Sequence, residues 1–389
     1  MNSLKLILSN PRYFAPAFVF ASLNILLGTW VIYIPQVKAR LQLDDGDLGV
    51  ALFFYALGVM IMLPIIPLLT KKLGVGKATL YGLILFIAAF TMPLLAETYT
   101  VLCGALLITG AFSGGTDVAM NSLVSDLEKK DGVSFMSAAH GFFSLGGVIG
   151  AGIGGLIMHF FSMPVYHMIF MSSIVLIINL FLCRQYVNIS GEHESSIKES
   201  LSVVKMSPLF GLAFIAFVIM GSEGAIEHWS KLYMLEVLDI SSDQLAGYGF
   251  VIFSVAMTTG RFFGDGISDR FGSHRIISYG ILLAAVGFGL ILMVSYIVVI
   301  VGFGLVGLGL SVVIPELFRI AGQNNSVSAS LAISFVSGLG FVGFLLGPVV
   351  LGYISDHANL HTSFIVLLGL TILAAISSMI ISRKDKLVM

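Results

Sequence analysis

Glu223 and Glu227 stand four residues apart, with His228 and Trp229 directly after them. They belong to PLFGLAFIAFVIMGSEGAIEHWSKLY, residues 208–233, which opens as an apolar run long enough to cross a bilayer. Glu223 lies about fifteen residues in, near mid-membrane at ~1.5 Å per residue. The i, i+4 spacing puts both carboxylates on one helix face. A charge at that depth costs about 2.5–3.5 kcal/mol and normally faces a protein interior or a wet cavity. Two retained carboxylates suit the movement of a proton or a polar solute. The plainer reading is a pair neutralised in a structural hydrogen-bond network. A histidine ordinarily titrates near neutral pH, where a desolvated carboxylate can meet it, and a proton relay needs such a match; His228 supplies the residue type.

Asp117 and Asn121 form a second i, i+4 polar pair, again inside an apolar run. His140 lies in the next run, where a relay partner and a capping or packing contact are both open readings. Trp30 and Trp229 are the only tryptophans. Interface anchoring is the usual role for Trp near span ends. The functional reading is a ring that stacks on a sugar-like or aromatic solute, with Tyr33, Tyr55 and Tyr248 as weaker companions. Arg261 and Asp265 are spaced i, i+4, and Asp269 and Arg270 follow. These four read as a charge network that holds a cytoplasmic gate rather than as solute contacts. Gly302-x-Gly304-x-x-Gly307 and Gly150-x-Gly152-x-x-Gly155 match the dinucleotide fingerprint. Both lie inside apolar runs rather than after a strand, so close helix packing is expected instead. No HExxH, CxxC or histidine cluster suggests a metal, and no cofactor is expected.

The elements that must position these residues follow from composition. Of 389 residues, 57% are hydrophobic and 11% charged, against about 25% charged in soluble domains. This predicts an all-α polytopic membrane protein. A net charge of −1 offers no basic surface for nucleic acid. Cys103 and Cys183 sit in or beside apolar runs and read as inert thiols. The first run is too long for a signal h-region and reads as a retained span. Twelve spans are expected, near 14–37, 46–70, 77–96, 99–124, 134–158, 165–184, 208–233, 244–268, 275–294, 297–319, 328–353 and 361–382. A polar segment at 185–207 divides two bundles of six helices, 1–184 and 208–389.

With the N-terminus inside, inner segments hold sixteen Lys and Arg and outer segments three, Lys38, Arg40 and Lys231. Both termini and the central loop are therefore expected in the cytoplasm. The halves repeat. Lys72-Leu73-Gly74-Val75-Gly76-Lys77 returns 198 positions later as Arg270-Phe271-Gly272-Ser273-His274-Arg275. Gly146, Gly150 and Gly155 in span 5 return at an offset of 197 as Gly343, Gly347 and Gly352 in span 11, and Trp30 returns at 199 as Trp229. Six spans per half give a parallel repeat, an arrangement that carries its site near mid-membrane between the halves.

These residues carry a family resemblance. GDGISDRFGSHR, from Gly264, resembles the cytoplasmic loop motif of the major facilitator superfamily. The span 5 glycines resemble that family's motif C, with Ala151 where proline is usual. Within the superfamily, GTWVIYIPQVKARL, MSAAHGFFSLGG and EGAIEHWSKLY are similar to a bacterial permease group that includes a proposed rhizopine permease. Lys71 replaces the aspartate of the first loop motif, which shifts the expected cytoplasmic lock to Asp269 and Arg270. Span 4 lacks the arginine of proton-driven drug antiporters.

The resemblance implies two pseudo-symmetric six-helix bundles, with spans 1, 4, 7 and 10 lining a cavity. Asn24, Asp117, Asn121, Glu223, Glu227 and Glu316 would then surround it. The expected function is alternating-access transport of a small polar solute, sugar- or polyol-like, across the bacterial inner membrane, with no enzymatic activity. Proton coupling would fall to Asp117, Glu223 and His140. Asn24, Trp30, Asn121, Glu227, His228, Trp229 and Glu316 would line the site. The expected partners are the solute, protons and the lipid bilayer, and the expected state is a monomer. A proton-driven exporter is the alternative, and a non-transporting sensor a more distant one.

Overall fold

The computed structural model describes residues 3–43, 45–190, 203–241, 243–324 and 327–388. Most of the expected linker 185–207 lies outside the described residues, as does Asp44 of the first outer loop. All regular structure among the described residues is helical. Ten helices are long and apolar enough to cross a membrane, and the bent pair Asp47–Met62 and Ile66–Leu73 supplies an eleventh crossing. Span 8, Asp243–Phe271, is a helix of 29 residues that completes the expected twelve. Its Arg261, Asp265, Asp269 and Arg270 make it less apolar than the rest.

Proline explains two breaks. Span 2 bends by 50° between Met62 and Ile66, where Pro64 lacks the N–H that would continue the helix. Span 10 runs Tyr296–Ser311 and then Val313–Gly322. Pro315 clashes with the carbonyl four residues earlier, at Ser311, which is where the first segment stops. The break leaves Glu316 in the first turn of the second segment. Span 5, Met136–Phe160, carries a π-helical stretch at Val148–Ile153, which contains the Ala151 that stands in place of proline.

The chain divides into two compact units. One holds spans 1–6 with residues 327–334; the other holds spans 7–10, the rest of span 11 and span 12. Each is described on its own. In the first unit, span 1 packs on span 5 through glycine. A Cβ on Gly146 would lie 2.2 Å from the Ala21 oxygen, and one on Gly150 would lie 2.1 Å from the Ile25 oxygen. Span 4 meets span 2 in the same way, Gly110 against the Tyr55 oxygen. The second unit repeats both seams. A Cβ on Gly343 would collide with the Phe217 oxygen, and one on Gly307 with the Phe253 oxygen. Key glycines of both fingerprint-like strings are thus helix-packing residues, as their apolar setting implied.

Replacing Gly150 by alanine is therefore expected to force spans 1 and 5 apart, at about 1–3 kcal/mol for overpacking. A Cβ on Gly155 meets nothing within 4 Å, so Gly155→Ala should leave stability unchanged. Thermal unfolding of the two variants in detergent separates them. Equal melting temperatures would contradict the packing argument.

Another bond is also made twice. The Tyr33 hydroxyl lies 2.9 Å from His167 Nδ1, and the Tyr233 hydroxyl 3.0 Å from His361 Nδ1. Each joins the end of its unit's first span to the start of its last. Elsewhere in the first unit, Arg12 grips Asp131 through two bonds of 2.7 and 3.1 Å, tying the start of span 1 to the end of span 4. Buried Glu128 accepts from the N–H groups of Phe135 and Met136. It thereby satisfies donors that the start of span 5 would otherwise leave unpaired.

Candidate functional site

The first unit gathers one polar chain across its helices. Asn121, fully buried on span 4, donates through Nδ2 to the Asp117 carbonyl at 2.9 Å and to Asp117 Oδ1 at 3.4 Å. Its Oδ1 accepts from His140 Nε2 on span 5 at 3.0 Å. The i, i+4 spacing brought Asp117 and Asn121 together locally; His140 arrives from another helix. The His140 ring meets the edge of Phe20 at 5.1 Å. One turn beyond Phe20, Asn24 donates to the Phe143 oxygen at 3.0 Å. One turn before Asp117, Ser113 accepts from the Tyr55 hydroxyl at 2.7 Å.

The amide orients its neighbours without carrying a proton between them. A carboxamide has an acceptor oxygen and a donor nitrogen that do not exchange roles. Asn121 thus fixes His140 with Nε2 protonated and holds Asp117 in a set rotamer. Asn121→Leu deletes the acceptor for His140 and is expected to cost about 1–3 kcal/mol. A melting curve matching the unaltered protein would remove this structural role.

Ionic contacts link the helices of the second unit. Arg261 on span 8 donates to Glu223 on span 7 at 3.3 Å, with side chains 10% and 26% exposed. Deeper lies a triad. Arg319 donates to Glu316 and to Asp265, and reaches the Ser268 hydroxyl at 3.4 Å. Asp265 and Glu316 are fully buried, and Arg319 is 4% exposed. Glu316, expected among the cavity-lining groups, is here enclosed beside a guanidinium. Asp265, one turn after Arg261, accepts from Arg319. Asp269 and Arg270 are exposed at the end of span 8.

The remaining candidates are spread. Glu227 and His228 are exposed, and His228 Nδ1 donates to the Gly224 oxygen at 2.7 Å. Trp229 is half-buried, and its ring lies against the Cα of Gly352, where a Cβ would come within 3.0 Å. Trp30 is buried at 5% exposure within the first unit, so it presents no open ring there. Of its weaker companions, Tyr33 is buried against His167, and Tyr248 is 48% exposed. Sequence reasoning missed Arg319 as a site residue, although its i, i+3 spacing from Glu316 was a readable signal.

The sequence matches the Major Facilitator Superfamily over residues 13–324 and again over 241–387. The chain belongs to the Major Facilitator Superfamily. Members related over nearly the full length agree. An uncharacterized MFS-type transporter of Yersinia pestis is 33% identical, covering 92% of this chain and 93% of its own. The membrane protein MosC of Rhizobium meliloti is 28% identical, covering 95% and 90%. Among solved structures, the fucose:proton symporter FucP of E. coli superposes with a TM-score of 0.78 at 17% identity, covering 98% of this chain and 99% of its own. That likeness carries the fold, two six-helix bundles of the Major Facilitator type. The protein is a multi-span membrane transporter, and not an enzyme.

Proposed function

We propose that this transporter moves a small polar organic solute, sugar- or polyol-like, by alternating access coupled to protons. The observation that carries the reading is the contrast between two intramembrane carboxylates. Glu223 has Arg261 as its counter-ion. Asp117 has the Asn121 amide. A charge without a counter-ion is expensive inside a membrane, so Asp117 is the group whose proton binding is coupled to a change of access. Glu223, partly open to solvent, and the buried Arg261 beside it suit hydroxyl recognition, because each offers charge-assisted hydrogen bonds. Glu227, His228, Trp229 and Asn24 complete the proposed solute contacts.

Asp265, Arg319 and Glu316 serve in this reading as the cytoplasmic gate of the second half, with Arg261 as its link to the solute site and Asp269 and Arg270 at its exposed end. The bacterial inner membrane with both termini in the cytoplasm is the proposed setting, from the excess of Lys and Arg in inner segments. A monomer is the proposed working unit. The likeness in fold to FucP, a fucose:proton symporter, supports the solute class and the coupling ion.

A thermal-shift screen of sugars, polyols and amines on purified protein finds the solute. Uptake into liposomes with and without a pH gradient then tests coupling. Accumulation only under an inward proton gradient is the expected result. Equal uptake without a gradient overturns proton coupling, accumulation driven outward supports the exporter, and hits confined to hydrophobic cations overturn the solute class.

A further inference from the structure

Spans 2, 3 and 4 of the first unit enclose a groove of about 490 Å³ whose lining is almost wholly apolar. Met62, Leu69 and Leu73 form one wall, Tyr81 and Leu85 the other, and Gly115 the floor. The bend at Pro64 turns the second half of span 2 toward span 3, and Gly82 and Gly115 leave the floor without side chains. Leu73, Tyr81 and Leu85 are each more than a third exposed, so the groove opens on the outer surface of this unit.

One end is strongly basic. Lys71, Lys72 and Lys77 are exposed around the turn between spans 2 and 3. Lys77 shares a helix row with Tyr81 and Leu85 at i, i+4 and i+8, and Lys72 follows Leu69 by three residues, so both stand over the groove. From residue 48 to 96 the sequence has three lysines and no aspartate or glutamate. An apolar slot of this size with the exposed Lys72 and Lys77 over one end matches one chemistry, an acyl chain joined to an anionic headgroup.

We propose that this groove binds an anionic phospholipid, with an acyl chain between spans 2 and 3 and its phosphate on Lys72 and Lys77. The leaflet, cytoplasmic, rests on the orientation proposed above; the binding itself does not. The selectivity is for charge on the headgroup, since any phospholipid could fill the apolar part.

The test is native mass spectrometry of protein released from bilayers of equal phosphatidylglycerol and phosphatidylcholine with identical chains. Phosphatidylglycerol should be retained in clear excess. Lys72→Gln and Lys77→Gln should each reduce that retention about fivefold, whereas Lys129→Gln with Lys130→Gln, at another inner end, should not. Leu85→Trp, which fills the slot, should lower retention of both lipids. Chain-free glycerophosphoglycerol should fail to compete; if it displaces the lipid, the site is a plain anion site and the proposal falls. Equal retention of the two lipids, or lysine variants that bind as the parent does, would also overturn it. An impermeant label on a cysteine placed at residue 72 reports the leaflet separately.

Discussion

Replacing Arg319 with methionine should destabilise the purified protein by about 3–5 kcal/mol, the largest single effect expected in this chain. The reason is the burial of what remains. Asp265 and Glu316 are both fully enclosed, and the guanidinium that serves both is gone. Two carboxylates would face low dielectric without their cation, and each must be neutralised or hydrated at the expense of the fold. Changing all three together, with Asp265→Leu and Glu316→Met added to Arg319→Met, should recover most of the loss. Apolar replacement of a buried ionic triad is often neutral or stabilising, whereas removing one member is not. Fluorescence-detected size exclusion after a temperature ramp reads both variants. A single variant as stable as the parent would show that the triad is not the buried ionic unit described. The rescued triple variant then isolates gating. If it transports at the parental rate, the three residues hold the fold and nothing more.

Asp117→Asn is expected to abolish gradient-driven accumulation of the solute, to the level set by equilibration, while exchange of labelled for unlabelled solute continues. Asparagine keeps the shape and the acceptor oxygen that faces Asn121, but it neither binds nor releases a proton. A carrier that no longer titrates at its coupling group can still change access loaded, so exchange survives and uphill movement does not. Glu223→Gln should behave differently. It removes the counter-ion of Arg261 and a charged hydrogen-bond acceptor, so both exchange and accumulation should fall with solute affinity, by about tenfold or more for a loss near 1.5–3 kcal/mol. The paired result assigns proton and solute to different carboxylates. Loss of exchange in Asp117→Asn, or retained affinity in Glu223→Gln, would reverse or dissolve that assignment.

The fold was readable because a membrane allows few solutions. Apolar runs of about twenty residues, lysines and arginines at alternate ends, and one near-constant offset fix twelve helices in two sets. The glycine seams were also readable as small residues spaced i and i+4, and the carbonyls they face sit where two helices must touch. Side-chain chemistry was legible only where it stayed on one helix. Asp117 and Asn121 share a face by arithmetic. The bond from Asn121 to His140 depends on how span 5 is rotated against span 4, which no local spacing encodes. Arg319 was obscured for a different reason. It stands at the expected end of span 10, 297–319, where a cation reads as one of the inner-segment charges that set orientation. The helix continues to Gly322, so the guanidinium falls inside a packed turn.

The tyrosine–histidine bonds span 134 and 128 residues of chain and left no trace in periodicity. Their recurrence gives the molecule an experiment that most proteins lack, the same stitch sewn once into each ancestral copy. Removing either hydroxyl with phenylalanine alters a like corner in an otherwise intact sibling. The copies are not identical, because the Tyr233 hydroxyl also reaches the Ile291 oxygen while His167 stacks on Phe161, so the gap between the two outcomes weighs what each half added to a shared stitch.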